Sequence, residues 1–111
     1  MHNRNKGNIG EDRAVAYLQS QGFHVLERNF RTSIGEIDII ARRGEAIHFI
    51  EVKYRRGVLF GYGAESVGYH KQKKIHQVAT VYLGERLYKV PISFDVVDIM
   101  GEEVRHLVGC F

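Results

Sequence analysis

The chain has 111 residues, 44% of them hydrophobic and 26% charged, which is the composition of a water-soluble globular protein with enough length to bury a core as one domain, 1–111. No apolar run approaches a membrane span, the polar start Met1-His2-Asn3-Arg4-Asn5-Lys6 lacks a signal peptide's apolar stretch, and a single cysteine, Cys110, permits no internal disulfide, so the sequence reads as cytoplasmic. A formal charge of +3 is compatible with nucleic acid as a partner, and six scattered histidines without C-x-x-C or H-x-x-x-H spacing give no zinc signature.

In chain order, Asn8-Ile9-Gly10-Glu11 opens a helix that runs to about Gln21 and stops at Gly22. Asn8 followed by Glu11 reads as a capping box. Ala14, Val15 and Leu18 also place Glu11 on the helix's apolar stripe, so it reads equally as an inward acid that binds a metal or orients a substrate. Phe23 to Phe30 forms a first strand. His24 and His48 alternate with apolar residues and read as strand surface or satisfied core.

Two runs rich in β-branched residues follow, Gly35-Glu36-Ile37-Asp38-Ile39-Ile40-Ala41 and Ala46-Ile47-His48-Phe49-Ile50-Glu51-Val52-Lys53, with Arg43-Gly44-Glu45 between them. A two-residue loop with Gly44 first, as a type II′ turn requires, puts Asp38 opposite Glu51. Alternation then gathers Glu36, Asp38, Glu51 and Lys53 on one face and Ile37, Ile39, Ile50 and Val52 on the other. Opposed like charges destabilise a sheet, and a divalent cation would offset the repulsion. Two carboxylates with an adjacent ammonium suit metal-assisted phosphodiester hydrolysis; an ordinary cross-strand ion-pair cluster is the alternative from spacing alone.

Tyr54-Arg55-Arg56-Gly57-Val58-Leu59-Phe60-Gly61-Tyr62-Gly63 reads as a loop whose arginines meet phosphates and whose rings stack on bases, or whose apolar residues tuck into the core or a partner subunit. A second helix starts near Val67 or Tyr69 and ends at Leu83 before Gly84, with Ile75, Val78, Ala79, Tyr82 and Leu83 as its apolar stripe. Lys71 and Lys74 flank that stripe and are placed to hold a phosphate or screen the carboxylates, unless they are ordinary snorkelling lysines. Lys73 and Gln77 point outward. Ile92 to Met100 and Val104 to Val108 form a second hairpin around Gly101-Glu102-Glu103, and Asp95 and Asp98 fall on opposite faces, with Asp95 reading as structural.

The order helix, three strands, helix, two strands, with Glu11 on the first helix, Asp38 on the second strand and Glu51-Val52-Lys53 on the third, resembles the PD-(D/E)xK nuclease superfamily, to which Holliday junction resolvases belong. Gly10-Glu11, Asn29-Phe30-Arg31, Gly35 to Ala41, Phe49 to Lys53, Lys71 with Ala79-x-x-Tyr82-Leu83, Phe94 to Val97 and Gly109-Cys110-Phe111 resemble the bacterial YraN family over nearly the whole chain; Tyr54 before Arg55 departs from its usual Thr or Ser. The resemblance implies an α/β, restriction endonuclease-like three-layer fold with a mixed sheet of about five strands. It also implies a site of Glu11, Asp38, Glu51 and Lys53, with Mg²⁺ or Mn²⁺ held by Asp38, Glu51, the Val52 carbonyl and Glu11. The expected function is a metal-dependent endonuclease acting on DNA, branched or damaged DNA included, with Arg55, Arg56, Lys71 and Lys74 on the backbone and a homodimer presenting two sites. A nucleic-acid-binding accessory module without turnover, and a structural or interaction protein, are the alternatives.

Overall fold

The computed structural model describes residues 6–55 and 67–111. Arg56 and the glycine- and aromatic-rich run after it lie outside the described residues. The elements are helix α1 (Lys6–Ser20), strands β1 (His24–Arg31), β2 (Glu36–Arg43) and β3 (Ala46–Arg55), helix α2 (Tyr69–Leu83), and strands β4 (Ile92–Met100) and β5 (Glu103–Leu107). They make one five-stranded sheet in the order β1-β2-β3-β4-β5, in which only β3 and β4 pair in parallel. The expected α/β order and mixed sheet are present. Among the described residues, no helix is long and apolar enough to cross a membrane.

A helix covers each face. Ala14 and Leu18 of α1 pack with Phe23, Ile39, Ala41, Ile50, Val97 and Ile99. Ile75, Val78, Ala79 and Leu83 of α2 pack with Ile37, Ile40, Ile47, Phe49 and Val96 on the other. β3 and β4, buried on both faces, therefore read as nearly continuous apolar runs, as expected of paired parallel strands. α1 begins at Lys6, so Asn8 lies inside the helix rather than capping it, and the capping-box reading of Glu11 is corrected. The helix ends where Gly22 takes φ +89°, a conformation that costs glycine nothing.

The β2–β3 hairpin has the register expected from its turn: Ile39 faces Ile50, Ile40 faces Phe49 and Arg43 faces Ala46. Gly44 has φ +60°, as the first position of a type II′ turn demands. The faces differ from simple alternation at one place. Ile39, Ile50 and Val52 lie on the α1 side, but Ile37 joins the α2-side core. Asn29 explains the change, because it holds a left-handed φ of 53° between the pairs Arg28–Ile39 and Phe30–Ile37, opposite Asp38, and turns both strands there.

On the α1 side of the sheet, Asp95 ties three strands and the C-terminal segment together. Its Oδ2 lies 2.6 Å from His48 Nδ1 and 2.7 Å from His106 Nε2, while Oδ1 accepts from Ser93 Oγ and the Gly109 N–H. Burial alone would raise this carboxyl, but the hydrogen bonds from His106, His48, Ser93 and Gly109 outweigh it and hold it well below the usual carboxylate range. An ionised carboxylate only accepts, so both facing ring nitrogens carry protons. Phe23 packs edge-on against both rings. The structural reading of Asp95 and the satisfied-core reading of His48 hold, and His24 is the surface position.

Asp95→Asn puts an amide among four donors, and urea unfolding is expected to show a loss of about 3 kcal/mol. A loss below about 1 kcal/mol would mean that the cluster does not hold the strands together. Gly10 tests the docking of α1: a Cβ there would lie 2.9 Å from Tyr54 Cβ, so Gly10→Ala is expected to lower stability by about 1–3 kcal/mol through overpacking.

Candidate active site

The site forms where the sheet forks. β2 stays paired with β1 as far as Glu36, and β3 stays paired with β4 as far as Arg55, but β2 and β3 stop pairing with each other beyond Ile39 and Ile50. Asp38 and Glu51 are the first residues past the fork. In place of a ladder bond, the Val52 N–H donates to Asp38 Oδ2 at 2.9 Å, which fixes the aspartate in the cleft between the strands.

Glu51 points to the α2 side, in phase with Phe49, and is 1% exposed. Its Oε1 lies 2.6 Å from the Lys71 ammonium, and no donor hydrogen-bonds Oε2 among the described residues. Burial and the neighbouring Glu51 charge push the Asp38 carboxyl up to about 7, against the opposing pull of the Val52 N–H and Lys71. Burial disfavours the Lys71 ammonium, but its bond to Glu51 and the charges of Glu51, Asp38 and Glu36 outweigh this and raise it. Asp38 thus keeps its proton to a higher pH than an ordinary carboxyl.

Glu11 reaches the cleft from the α1 side. It is buried and accepts from Arg28 Nε at 3.0 Å and Asn29 Nδ2 at 2.9 Å, and its charge contributes to raising Asp38. Arg28 also bonds Asp12 at 2.6 Å, so the guanidinium is fixed from two sides. The orienting roles of Arg28 and Asn29 escape a reading of the acids alone. The signal for Asn29 was its position, a turn-forming residue in the middle of a strand.

Lys53, two residues beyond Glu51 in a regular strand, shares its face. Its neighbour across the parallel ladder is Asp98, which is fully buried and accepts from Arg55 Nε at 3.0 Å. The role of Asp98, like those of Arg28 and Asn29, was missed by sequence reasoning; an acid opposite an alternating Glu51-x-Lys53-x-Arg55 run was the available signal. The charges of Glu51, Lys71 and Glu11 all act on Asp38, and Lys53 lies two residues along β3 from Glu51. Arg55 is held by Asp98, Lys74 lies exposed one turn along α2, and Arg56 is outside the described residues.

Among the described residues, one group of three has converging ligand atoms, and the carboxylates of Asp38 and Glu51 form a separate pair; hydrogen bonding distinguishes the two. His48, Asp95 and His106 bring ligand atoms within 4.8 Å of one another, but both Asp95 oxygens are already satisfied. Among the described residues no donor reaches the buried Glu51 Oε2, beside an aspartate that burial and repulsion hold up. A hard divalent cation fits the second donor set, because it takes carboxylate oxygens and removes the charge excess.

The model of the Uncharacterised protein family UPF0102 matches residues 10–99. The chain belongs to this family. It is the YraN family that the motifs resemble. A UPF0102 protein of Clostridioides difficile is 45% identical over 100% of both chains, and one of Clostridium kluyveri is 50% identical over 90% of this chain and 84% of its own. Among solved structures, Archaeoglobus fulgidus Hjc, a Holliday junction resolvase from an archaeal hyperthermophile, matches with a TM-score of 0.48 and 17% identity, covering 88% of this chain and 72% of that one. The family match spans Glu11, Asp38, Glu51, Lys53 and Lys71.

Asp38 gives this UPF0102 chain a pH signature without metal. Between its ordinary value of 3.8 and about 7, the folded protein keeps a proton that the unfolded chain has released. Stability in the presence of chelator should therefore fall as pH rises across that window, by at most about 4 kcal/mol, and level off above it. Asp38→Asn should remove this slope; an unchanged urea-midpoint profile in the variant would show that Asp38 is not the titrating group.

Proposed function

We propose that this protein is a divalent-metal-dependent endonuclease that hydrolyses phosphodiester bonds in DNA, branched or damaged DNA among its substrates. The observation that carries the reading is the unbonded, buried Glu51 Oε2 beside the raised Asp38 carboxyl. A structural ion-pair cluster would be expected to close its hydrogen bonds, as the Asp95 cluster does.

Asp38 and Glu51 would hold Mg²⁺ or Mn²⁺, with the Val52 carbonyl and Glu11 as further oxygen ligands. Such an ion supplies Lewis-acid charge for an in-line attack by water on phosphorus. As a ligand Asp38 would be ionised, with the Val52 N–H keeping its carboxylate in the cleft. Arg28 and Asn29 hold Glu11 so that it faces the same space without swinging. Lys53 lies on the face of Glu51, where its ammonium orients the attacking water and stabilises charge developing on the phosphate. Lys71, Lys74, Arg55 and Arg56 hold the backbone, contacts that position a strand without reading its sequence. A homodimer belongs to this reading, with exposed Tyr69 and Val81 on α2 as apolar surface for a second copy, and a cytoplasmic location agrees with the free Cys110.

The test is cleavage of labelled linear, nicked, flapped and four-way-junction DNA with Mg²⁺ or Mn²⁺. The wild type should cut at least one substrate, and Glu51→Ala and Lys53→Ala should lose at least ~100-fold in rate while retaining most DNA binding. Equal loss of binding and cleavage would remove the proposed chemical roles. DNA binding by the wild type without any cutting would replace the enzyme with an accessory module.

A further inference from the structure

The ammonium that meets Glu51 does not come from Lys53 on the same strand but from Lys71 on α2. The two partners differ in setting: the Glu51 side chain is 1% exposed and that of Lys71 is 52% exposed. Lys71 therefore reaches inward from a stem that stands in solvent. Outward rotamers of such a lysine keep its ammonium hydrated and its methylenes on the surface, so release from Glu51 needs no rearrangement of the backbone. The same ammonium acts electrostatically on Asp38 and Glu36, so it serves three carboxylates at once.

A divalent cation at Asp38 and Glu51 would compete directly with this arrangement. It carries twice the charge of Lys71, accepts both Glu51 oxygens, and repels an ammonium only a hydrogen bond away. We propose that Lys71 is an exchangeable placeholder for the catalytic cation: it neutralises Glu51 while the metal is absent and is released toward the DNA backbone when the metal binds. The inference rests on the metal-site reading above. It makes Lys71 a positioning residue that couples the two binding events: removing its charge should tighten metal binding while weakening the support that metal gives to DNA binding.

The experiment is a calorimetric Mn²⁺ titration of the wild type, Lys71→Met, Lys73→Met and Glu51→Gln at a pH of about 8.5, where a proton does not replace the missing ammonium. Lys71→Met should bind Mn²⁺ about tenfold more tightly than the wild type, since one competing charge has gone. Lys73→Met, altered on an outward-facing neighbour, should match the wild type, and Glu51→Gln should lose the site. In a second arm, affinity for junction DNA is measured with and without Ca²⁺; the gain from the ion should be large in the wild type and shrink toward none in Lys71→Met. If Lys71→Met folds poorly, Lys71→Gln serves in its place. Unchanged or weaker Mn²⁺ binding in the Lys71 variant, with Glu51→Gln still deficient, overturns the placeholder. Mn²⁺ binding indifferent to Glu51→Gln overturns the metal-site reading beneath it.

Discussion

The parting of β2 from β3 beyond Ile39 and Ile50 is the constraint from which the site follows. A continuous ladder would bring the Asp38 and Glu51 side chains directly opposite one another and leave no room between the strands. The fork instead frees the Val52 N–H, Asp38 takes it up, and the aspartate becomes part of the cleft wall. Each strand keeps its outer partner past the fork, so the cleft lies between paired strands rather than in a loop. Asn29 belongs to the same device, because its left-handed backbone sits opposite Asp38 and its side chain holds Glu11. One irregularity in β1 thus bends the strand pair and orients an acid from the other face.

The sheet treats its buried acids in two ways, and the contrast explains what each does. Asp95 is surrounded by donors, its charge is spread over four hydrogen bonds, and its strongly depressed proton affinity expresses how well that charge is held. Such an acid fastens β3, β4, β5 and the end of the chain. Asp98 does a similar job for Arg55. Close by, Glu51 has a buried oxygen that no donor among the described residues reaches, and burial together with the Glu51 charge raises Asp38. An arrangement that leaves carboxylates short of positive charge opposes folding unless something else requires it, which is the physical argument for a ligand.

Much of this was legible in the sequence because it depends on local periodicity. The turn at Gly44-Glu45 fixed the hairpin register, since its two-residue length and its leading glycine admit one pairing. The stripe of α2 placed Lys71 beside the sheet, and the three-residue offset between Asp95 and Asp98 put them on opposite faces. What was not legible depends on tertiary context. Alternation assigned Ile37 to the wrong face because the signal lies in β1, at Asn29, and not in the pattern of β2 itself. Asn8 looked like a cap because its helix begins earlier, at Lys6. That Lys71 is the lysine paired with Glu51 depends on how α2 packs on the sheet, which the pattern of β3 does not record. The donors Arg28 and His106 were likewise invisible, because Arg28 meets its acid on a packed helix and His106 meets its acid across strands, at spacings that no sequence pattern records.

These observations assign different kinds of positive charge to different tasks. Arginines meet acids that stay put: Arg28 holds Glu11 and Asp12, and Arg55 holds Asp98, each with its planar fork partly buried. A lysine meets the acid whose partner must change. Its single, mobile ammonium neutralises Glu51 without filling both oxygens, and its exposed stem leaves it somewhere else to go. An arginine at the same position would be expected to close the carboxylate with paired hydrogen bonds and exclude a metal. The choice of lysine at position 71 is therefore consistent with a cleft that must be stable before its cation arrives and open to it when it does.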